Sequence, residues 1–283
     1  MQAKIVDRTK GSPAIDGAGV HLVRVLGNQT VKTYDPFLML DAFDSGNPDD
    51  WSAGFPMHPH RGIETVTFMQ EGSMLHRDHL GTKAVVGNGG AQWLTAGSGA
   101  YHEEMPQPSD RMLGIQLWLN LPAKDKMEAH PAYHSIMPKD IEEIAFEGGK
   151  LRLVCGSFQG YTGHQGSYLP LDFYDIHLDR GASLEFDVPE GRSNMVFTLQ
   201  GPAVVGGEHL NAKTAAKLDG GTDVRIETPD GPAEVLFMSS TALHEPVAWW
   251  GPVVMNTEDE LDQAWMDMQN GSFVKESASY DEH

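Results

Sequence analysis

The chain has 283 residues, with 20 Lys and Arg against 40 Asp and Glu, a formal net charge of −20. Such a charge argues against direct binding to nucleic-acid phosphate and against docking on an anionic lipid surface. The single cysteine, Cys155, rules out an intrachain disulfide, and the length suffices for one large domain or two ordinary ones, each with its own core.

No apolar run reaches the roughly 18–20 residues that span a bilayer, and the start, MQAKIVDRTKGSPAIDG, lacks the apolar core of a secretory signal. A soluble, cytoplasmic protein is therefore expected. The 31 Gly and 17 Pro are spread along the chain and mark many turns.

In chain order, VHLVRVL (Val20–Leu26) is short and β-prone, and Gly27 and Asn28 close it. IETVTFMQ (Ile63–Gln70) is rich in β-branched residues and ends at Glu71-Gly72. Short strand-like segments follow at Met74–His79, Lys83–Val86 and Gln92–Thr95. In MLGIQLWLNL (Met112–Leu121), Leu113, Ile115, Leu117 and Leu119 share one face. Residues 122–150 are polar, carry three prolines and show no long period, so they read as a connection between two halves. Strand-like segments resume at Leu151–Ser157, Phe173–Leu178, Ala182–Val188, Met195–Leu199, Asp223–Thr228 and Glu234–Ser239. Many short strands punctuated by turns predict an all-β sandwich or barrel in each half. One helix is legible near the end. Thr257-x-x-Glu260 is a capping box, Leu261, Trp265 and Met268 follow at helical spacing, and Gly271 can stop it. That apolar stripe reads as packing on a barrel, and the tail beyond Phe273 as frayed.

The chemistry concentrates in residues 54–104. His58 and His60 of GFPMHPHRGIE are two apart and co-facial on an extended chain, and Glu64 has the same parity. In GSGAYHEEMP, His102 and Glu104 are again co-facial, while Glu103 points away. A lone histidine in a chain with 13 of them carries little; two co-facial pairs on glycine-bounded strands carry more. If the strands are neighbours, imidazoles and a carboxylate converge, a donor set that suits Fe(II), Mn(II), Ni(II), Cu(II) or Zn(II). Cysteine is absent nearby, which argues against a structural thiolate zinc site. His76 and Asp78 share a face, which allows a supporting hydrogen bond, although the segment reads first as a structural turn before Gly81. Cys155 reads as a small buried hydrophobe. No phosphate loop, nucleophile elbow or CxxC motif is present.

The first segment is similar to the first cupin motif, G-x5-HxH-x3/4-E-x6-G, although Gly54 stands three residues before His58 and seven residues separate Glu64 from Gly72. The second is similar to G-x5-P-x-G-x2-H, with Gly97 in place of the proline and Gly99 and His102 in register. More narrowly, DPFLMLDAF (35–43), FPMHPHRGIETVTFMQEGSMLHRD (55–78), GGAQWLTAGSGAYHEEMP (89–106), LGIQLWLNLP (113–122) and EPVAWWGPVVMNTEDEL (245–261) resemble the pirin family.

That resemblance implies a bicupin, two jelly-roll-type β-barrels with a C-terminal α-helix. It divides the chain into a metal-binding barrel over residues 1–130 and a barrel without metal over 131–283. It implies one divalent metal, Fe(II) foremost, held by His58, His60, His102 and Glu104, with Glu64 as a nearby polar residue. The second half shows no HxH pair, and His177, His209 and His244 read as isolated. Four protein ligands on octahedral iron leave two positions open. The implied activity is that of a quercetin 2,3-dioxygenase: a flavonol and O2 as substrates, carbon monoxide as a product, and Glu104 as the catalytic carboxylate that takes the hydroxyl proton. The alternative is a non-enzymatic, iron-dependent regulator that binds a protein partner, acting as a transcription cofactor or on a metabolic enzyme.

Overall fold

The computed structural model describes residues 1–275. The chain forms two compact units that are not simple sequential halves. One gathers Met1–Ser12, Arg24–Pro36 and Lys139–Ala242; the other gathers Pro13–Val23, Phe37–Pro138 and the C-terminal part from Leu243 onward. The central boundary lies at 138/139, and residues 1–12 and the described residues from Leu243 each belong to the unit built mainly from the other half of the chain.

The unit that carries the histidine motifs contains two antiparallel sheets. In the larger, the strands run Ala132–Ile136, Gly90–Thr95, Ile63–Glu71, Met112–Asn120 and Phe37–Ser45, and continue to Val20–Leu26 and Ser12–Asp16. The smaller runs Phe55–His60, Ala100–Gln107, Ser73–Asp78 and Lys83–Val86. Val20, Leu22, Phe43, Trp51, Met69, Met74, Val86 and Met112 form a buried apolar cluster drawn from both sheets. Burying such side chains at about 25 cal/mol per Å2 of apolar surface is the main force holding the sheets face to face. The other unit repeats the plan. Its larger sheet runs Lys4–Lys10, Thr214–Asp219, Ser193–Gln200, Ala233–Ser240, Leu171–Leu178, Gly149–Cys155 and Glu142–Phe146. A four-stranded sheet accompanies it, and Leu153, Tyr174, Ile176, Phe186, Val196 and Phe237 lie in its core. Cys155 is buried there as a free thiol.

Most sequence-derived strands are present within a residue or two. The polar stretch 122–150 is a correction: it contains the strands Ala132–Ile136 and Glu142–Phe146. Each is an edge strand with one neighbour, Gly90–Thr95 or Gly149–Cys155. An edge strand needs little apolar surface, so its sequence shows no clear period. The helix Glu258–Gln269 starts where the capping box places it: the Glu260 amide donates to Thr257 Oγ1 at 3.3 Å, and Glu260 Oε2 accepts from the Thr257 amide at 2.9 Å. Of its expected packing stripe, Leu261 and Met268 lie against the cluster Val253, Met255, Ala264 and Phe273, and Trp265 departs from it. Ala264 and Asp267 are buried, while Trp265 is 47% exposed and rests edge-on against Trp250, the centroids 5.1 Å apart. Among the described residues, no helix is long and apolar enough to cross a membrane.

Candidate metal centre

His58 and His60 project from the edge strand Phe55–His60, whose neighbour Ala100–Gln107 places His102 directly opposite His58. Extended geometry sends alternate side chains to one face, so His58, His60 and His102 converge. One ring nitrogen from each lies within 4.8 Å of the other two. His60 and His102 are fully buried and His58 half-buried. Burial, with the neighbouring His58 adding to it, pushes His60 down to about 3 and His102 well below the ordinary imidazole range. Both are neutral at physiological pH, the form in which imidazole coordinates a metal.

The second ring nitrogens are already engaged. His58 Nδ1 donates to the Pro56 carbonyl at 2.9 Å, and His60 Nδ1 donates to the Pro252 carbonyl at 3.0 Å. Each proton then sits on Nδ1, and the two Nε2 atoms face each other at 3.1 Å, lone pair to lone pair. His102 Nε2 is buried with no hydrogen-bond partner. Two facing lone pairs with a third, buried and unpartnered ring nitrogen beside them are costly unless a cation lies between them. The residues present therefore fit a divalent metal.

Glu104 stands beside this cluster but is not one of the atoms gathered within 4.8 Å. Its Oε1 accepts from Thr67 Oγ1 at 2.8 Å and from Gln92 Nε2 at 2.5 Å, and its Oε2 accepts from Gln116 Nε2 at 2.5 Å. Those amides are oriented in turn: Trp118 Nε1 donates to Gln116 Oε1 at 3.1 Å, and Tyr133 donates to Gln92 Oε1 at 3.2 Å. With Oε1 doubly engaged, the carboxylate keeps one lone pair, on Oε2, for another partner. Trp118 stands edge-on to His60 with centroids 4.9 Å apart, and Trp249 lies 5.7 Å beyond it. An aromatic wall thus borders the imidazoles.

Glu64 lies elsewhere. Ile63–Glu71 pairs regularly with Gly90–Thr95, so Thr67, which reaches Glu104, and Glu64 occupy opposite faces of the strand. The shared parity with His60 read from the sequence is broken at Gly62, whose φ of +80° turns the chain from the smaller sheet into the larger. Glu64 Oε1 accepts from Thr95 Oγ1 at 2.6 Å, its Oε2 is a buried orphan, and burial pushes its pKa up to about 7.

The histidine segment is held by residues remote in sequence. Arg61, 1% exposed, donates from Nη1 to Asp267 Oδ2 at 2.8 Å, from Nη2 to the Phe273 carbonyl and from Nε to the Ser98 carbonyl. Its guanidinium carbon lies 4.2 Å from the centre of the Phe273 ring. Buried Lys126 donates to the carbonyls of Gly62 and Val254 and to Asn120 Oδ1. A Cβ on Gly62 would fall on the Val254 carbonyl oxygen, so the hairpin Ala248–Met255 can close over the histidine strand only because residue 62 is glycine.

In the other unit, His177 is not isolated as expected. It lies opposite Glu234 on the neighbouring strand, and its Nε2 is 2.9 Å from Asp175 Oδ2. Asp175 also accepts from Arg152 Nη1 at 3.1 Å. The guanidinium already supplies the counter-charge that a cation would bring, so this group reads as an ion network.

Sequence spacing singled out His58, His60, His102 and Glu104, but it did not reach Thr67, Gln92 or Tyr133 around the carboxylate. The signal available was a lone amide within an apolar strand: Gln116 in MLGIQLWLN and Gln92 in GAQWLT.

Comparison with known proteins agrees with this architecture. The Pirin family profile matches residues 19–119, and that of the Pirin C-terminal cupin domain matches residues 173–274. A Pseudomonas aeruginosa protein named "Putative quercetin 2,3-dioxygenase" is 41% identical over 277 residues, covering 94% of this chain and 96% of that one. Human pirin is 34% identical over 261 residues, covering 90% and 88%. A crystal structure of quercetin 2,3-dioxygenase from Acinetobacter baumannii superimposes with a TM-score of 0.88 at 31% identity, covering 96% of this chain and 99% of that one. Paired cupin barrels, a cluster of three imidazoles and a carboxylate at one of them, and both family profiles in order lead to one assignment: the chain belongs to the pirin family.

Proposed function

We propose that this protein is a metal-dependent dioxygenase that opens the heterocycle of a flavonol such as quercetin, consuming O2 and releasing carbon monoxide. The observation that carries the reading is the set of three imidazoles with one ring nitrogen each gathered within 4.8 Å, the Nδ1 atoms of His58 and His60 turned to backbone carbonyls and His102 Nε2 buried without a partner. His58, His60 and His102 would hold the ion, and Glu104 would supply the fourth donor through Oε2. This set accepts Fe(II) first in our reading, and Mn(II), Ni(II), Cu(II) or Zn(II) by the same chemistry. When bound, a divalent ion supplies Lewis acidity toward the 3-oxygen of the flavonol.

The remaining work falls to the chain itself. Trp118, edge-on to His60 and tilted against Trp249, contributes an apolar aromatic wall beside the imidazoles, against which a planar substrate would lie. Glu104 Oε2 is the acceptor for the 3-hydroxyl proton. Because Gln116 occupies one of its lone pairs, the same oxygen serves either as ligand or as base at a given moment. Thr67 and Gln92 hold the carboxylate in place during that exchange. Half-exposed His58 marks the side open to solvent.

The test is to load the protein anaerobically with Fe(II), admit O2 and quercetin, and follow carbon monoxide together with loss of flavonol absorbance. Metal-free protein and Glu104→Ala run alongside. Carbon monoxide from intact, loaded protein alone is the expected result. Bleaching without carbon monoxide, or no reaction while the metal stays bound, overturns the reading.

A further inference from the structure

We infer that Asp78 and His76 are positioning residues for the metal centre: they set the tautomer of His102 so that its Nε2 lone pair, rather than an N–H, faces the site. This rests on the reading that the three imidazoles hold an ion, and it explains how the third of them is prepared.

His58 and His60 each give the Nδ1 proton to a backbone carbonyl. His102 has no such carbonyl. It lies on an inner strand, with Phe55–His60 on one side and Ser73–Asp78 on the other, where the ladder uses the main-chain acceptors. Its Nδ1 instead faces His76 Nδ1 at 3.5 Å. Between two like nitrogens one must donate and the other accept, and nothing intrinsic to two imidazoles decides which.

Asp78 decides. Its Oδ1 accepts from the amides of Leu80 at 2.9 Å and Thr82 at 3.1 Å, which fixes the carboxylate in the turn. Its Oδ2 faces His76 Nε2 at 2.9 Å. A carboxylate can only accept, so the single proton of a neutral His76 stands on Nε2. His76 Nδ1 is then the acceptor, His102 Nδ1 the donor, and His102 Nε2 is left bare and buried. The ladder makes this arrangement available. His102 pairs with Asp78 and Glu104 with His76, so all four side chains share one face of the sheet. The ring of Tyr133, stacked on His76 at 4.1 Å and 23°, holds the plane of the relay. All three members of the relay are at most 1% exposed, so water cannot substitute for any of them.

Asp78→Asn is nearly isosteric and tests the inference. The amides of Leu80 and Thr82 still require an oxygen, so the new NH2 faces His76 Nε2 and donates. The relay then runs backwards: His76 carries its proton on Nδ1, His102 accepts there, and an N–H points into the site. Affinity for Ni(II), read by competition with a chromophoric chelator, is expected to fall about 10- to 100-fold. In metal-free, 15N-histidine-labelled protein, long-range 1H–15N spectra should show His102 protonated on Nδ1 in the wild type and on Nε2 in the variant. His76→Asn, which offers an amide oxygen near the former Nδ1, should retain affinity that His76→Leu loses. Wild-type affinity in Asp78→Asn, or Nε2 protonation of His102 in the unaltered protein, overturns the inference. His58→Ala tests the metal reading separately. If the unaltered protein binds no more Ni(II) than His58→Ala, that reading falls, and the metal-free spectra still judge the relay.

Discussion

Replacing Asp267 with alanine should detach the C-terminal helix from the histidine segment. Asp267 Oδ2 accepts from Arg61 Nη1 and from Lys275 Nζ, each at 2.8 Å, and Oδ1 accepts from Gln263 Nε2 at 3.0 Å. Burial alone would raise the carboxyl pKa, but the bonds from Lys275, Arg61 and Gln263 outweigh it and hold Asp267 at about 2. In Asp267→Ala, Arg61 keeps its bonds to Ser98 and Phe273 but becomes a buried cation with no counter-charge. Removing one partner of a buried pair costs about 3–5 kcal/mol. At about 2–4 °C per kcal/mol for a unit of this size, the melting point should drop by about 10 °C. The assay is thermal unfolding by circular dichroism at pH 7 with chelator, so that metal linkage does not enter. Glu103→Ala serves as the contrast: its partner Arg77 is 50% exposed, and an exposed pair contributes about 0–1 kcal/mol. Arg61→Met with Asp267→Ala removes both charges and should recover part of the loss. A melting point for Asp267→Ala within about 2 °C of the wild type would refute the reasoning, since a buried guanidinium would then have lost its carboxylate at no cost.

Glu64→Gln should abolish a pH dependence. Its folded-state pKa of about 7 lies above the ordinary 4.5, so the folded protein binds more protons than the unfolded one between those values and loses stability as pH rises through them, by about 3 kcal/mol at about 1.4 per pH unit. The variant should therefore match the wild type at pH 4, exceed it at pH 8 and retain Ni(II) affinity; a weakened metal site would show that Glu64 belongs to it. Gly62→Ala should fail to close the hairpin Ala248–Met255 over His60, because φ is +80° and the Val254 carbonyl occupies the Cβ position; wild-type metal affinity and melting point would contradict this. Lys126→Met leaves the carbonyls of Gly62 and Val254 and the Asn120 amide oxygen without their donor, and should cost about 2–4 kcal/mol by denaturant titration; a loss below about 0.5 kcal/mol would make the lysine a bystander.

The four proposed metal-site residues were legible because strand parity is a local property. Two positions along an extended chain always face the same way, so His58 with His60 and His102 with Glu104 could be paired without knowing the sheet. The same rule misled at Glu64, because parity survives only while the strand continues, and Gly62 ends it. Edge strands such as Ala132–Ile136 escaped notice for a related reason: periodicity reports burial, and this strand has a single neighbour.

By itself, the sequence determined what depends on near neighbours: β segments bounded by glycine, the capping box at Thr257, and which candidate site side chains are co-facial. Only the tertiary structure decided how those candidate ligands are oriented. The Pro252 carbonyl that orients His60 lies 192 residues away in sequence, the aspartate that neutralises Arg61 lies 206 away, and Thr67, Gln92 and Gln116 meet Glu104 from three different strands. These contacts join a strand to a turn, a loop to a helix and strands to one another, and each is fixed by register and chain closure, quantities that no local pattern of residues encodes.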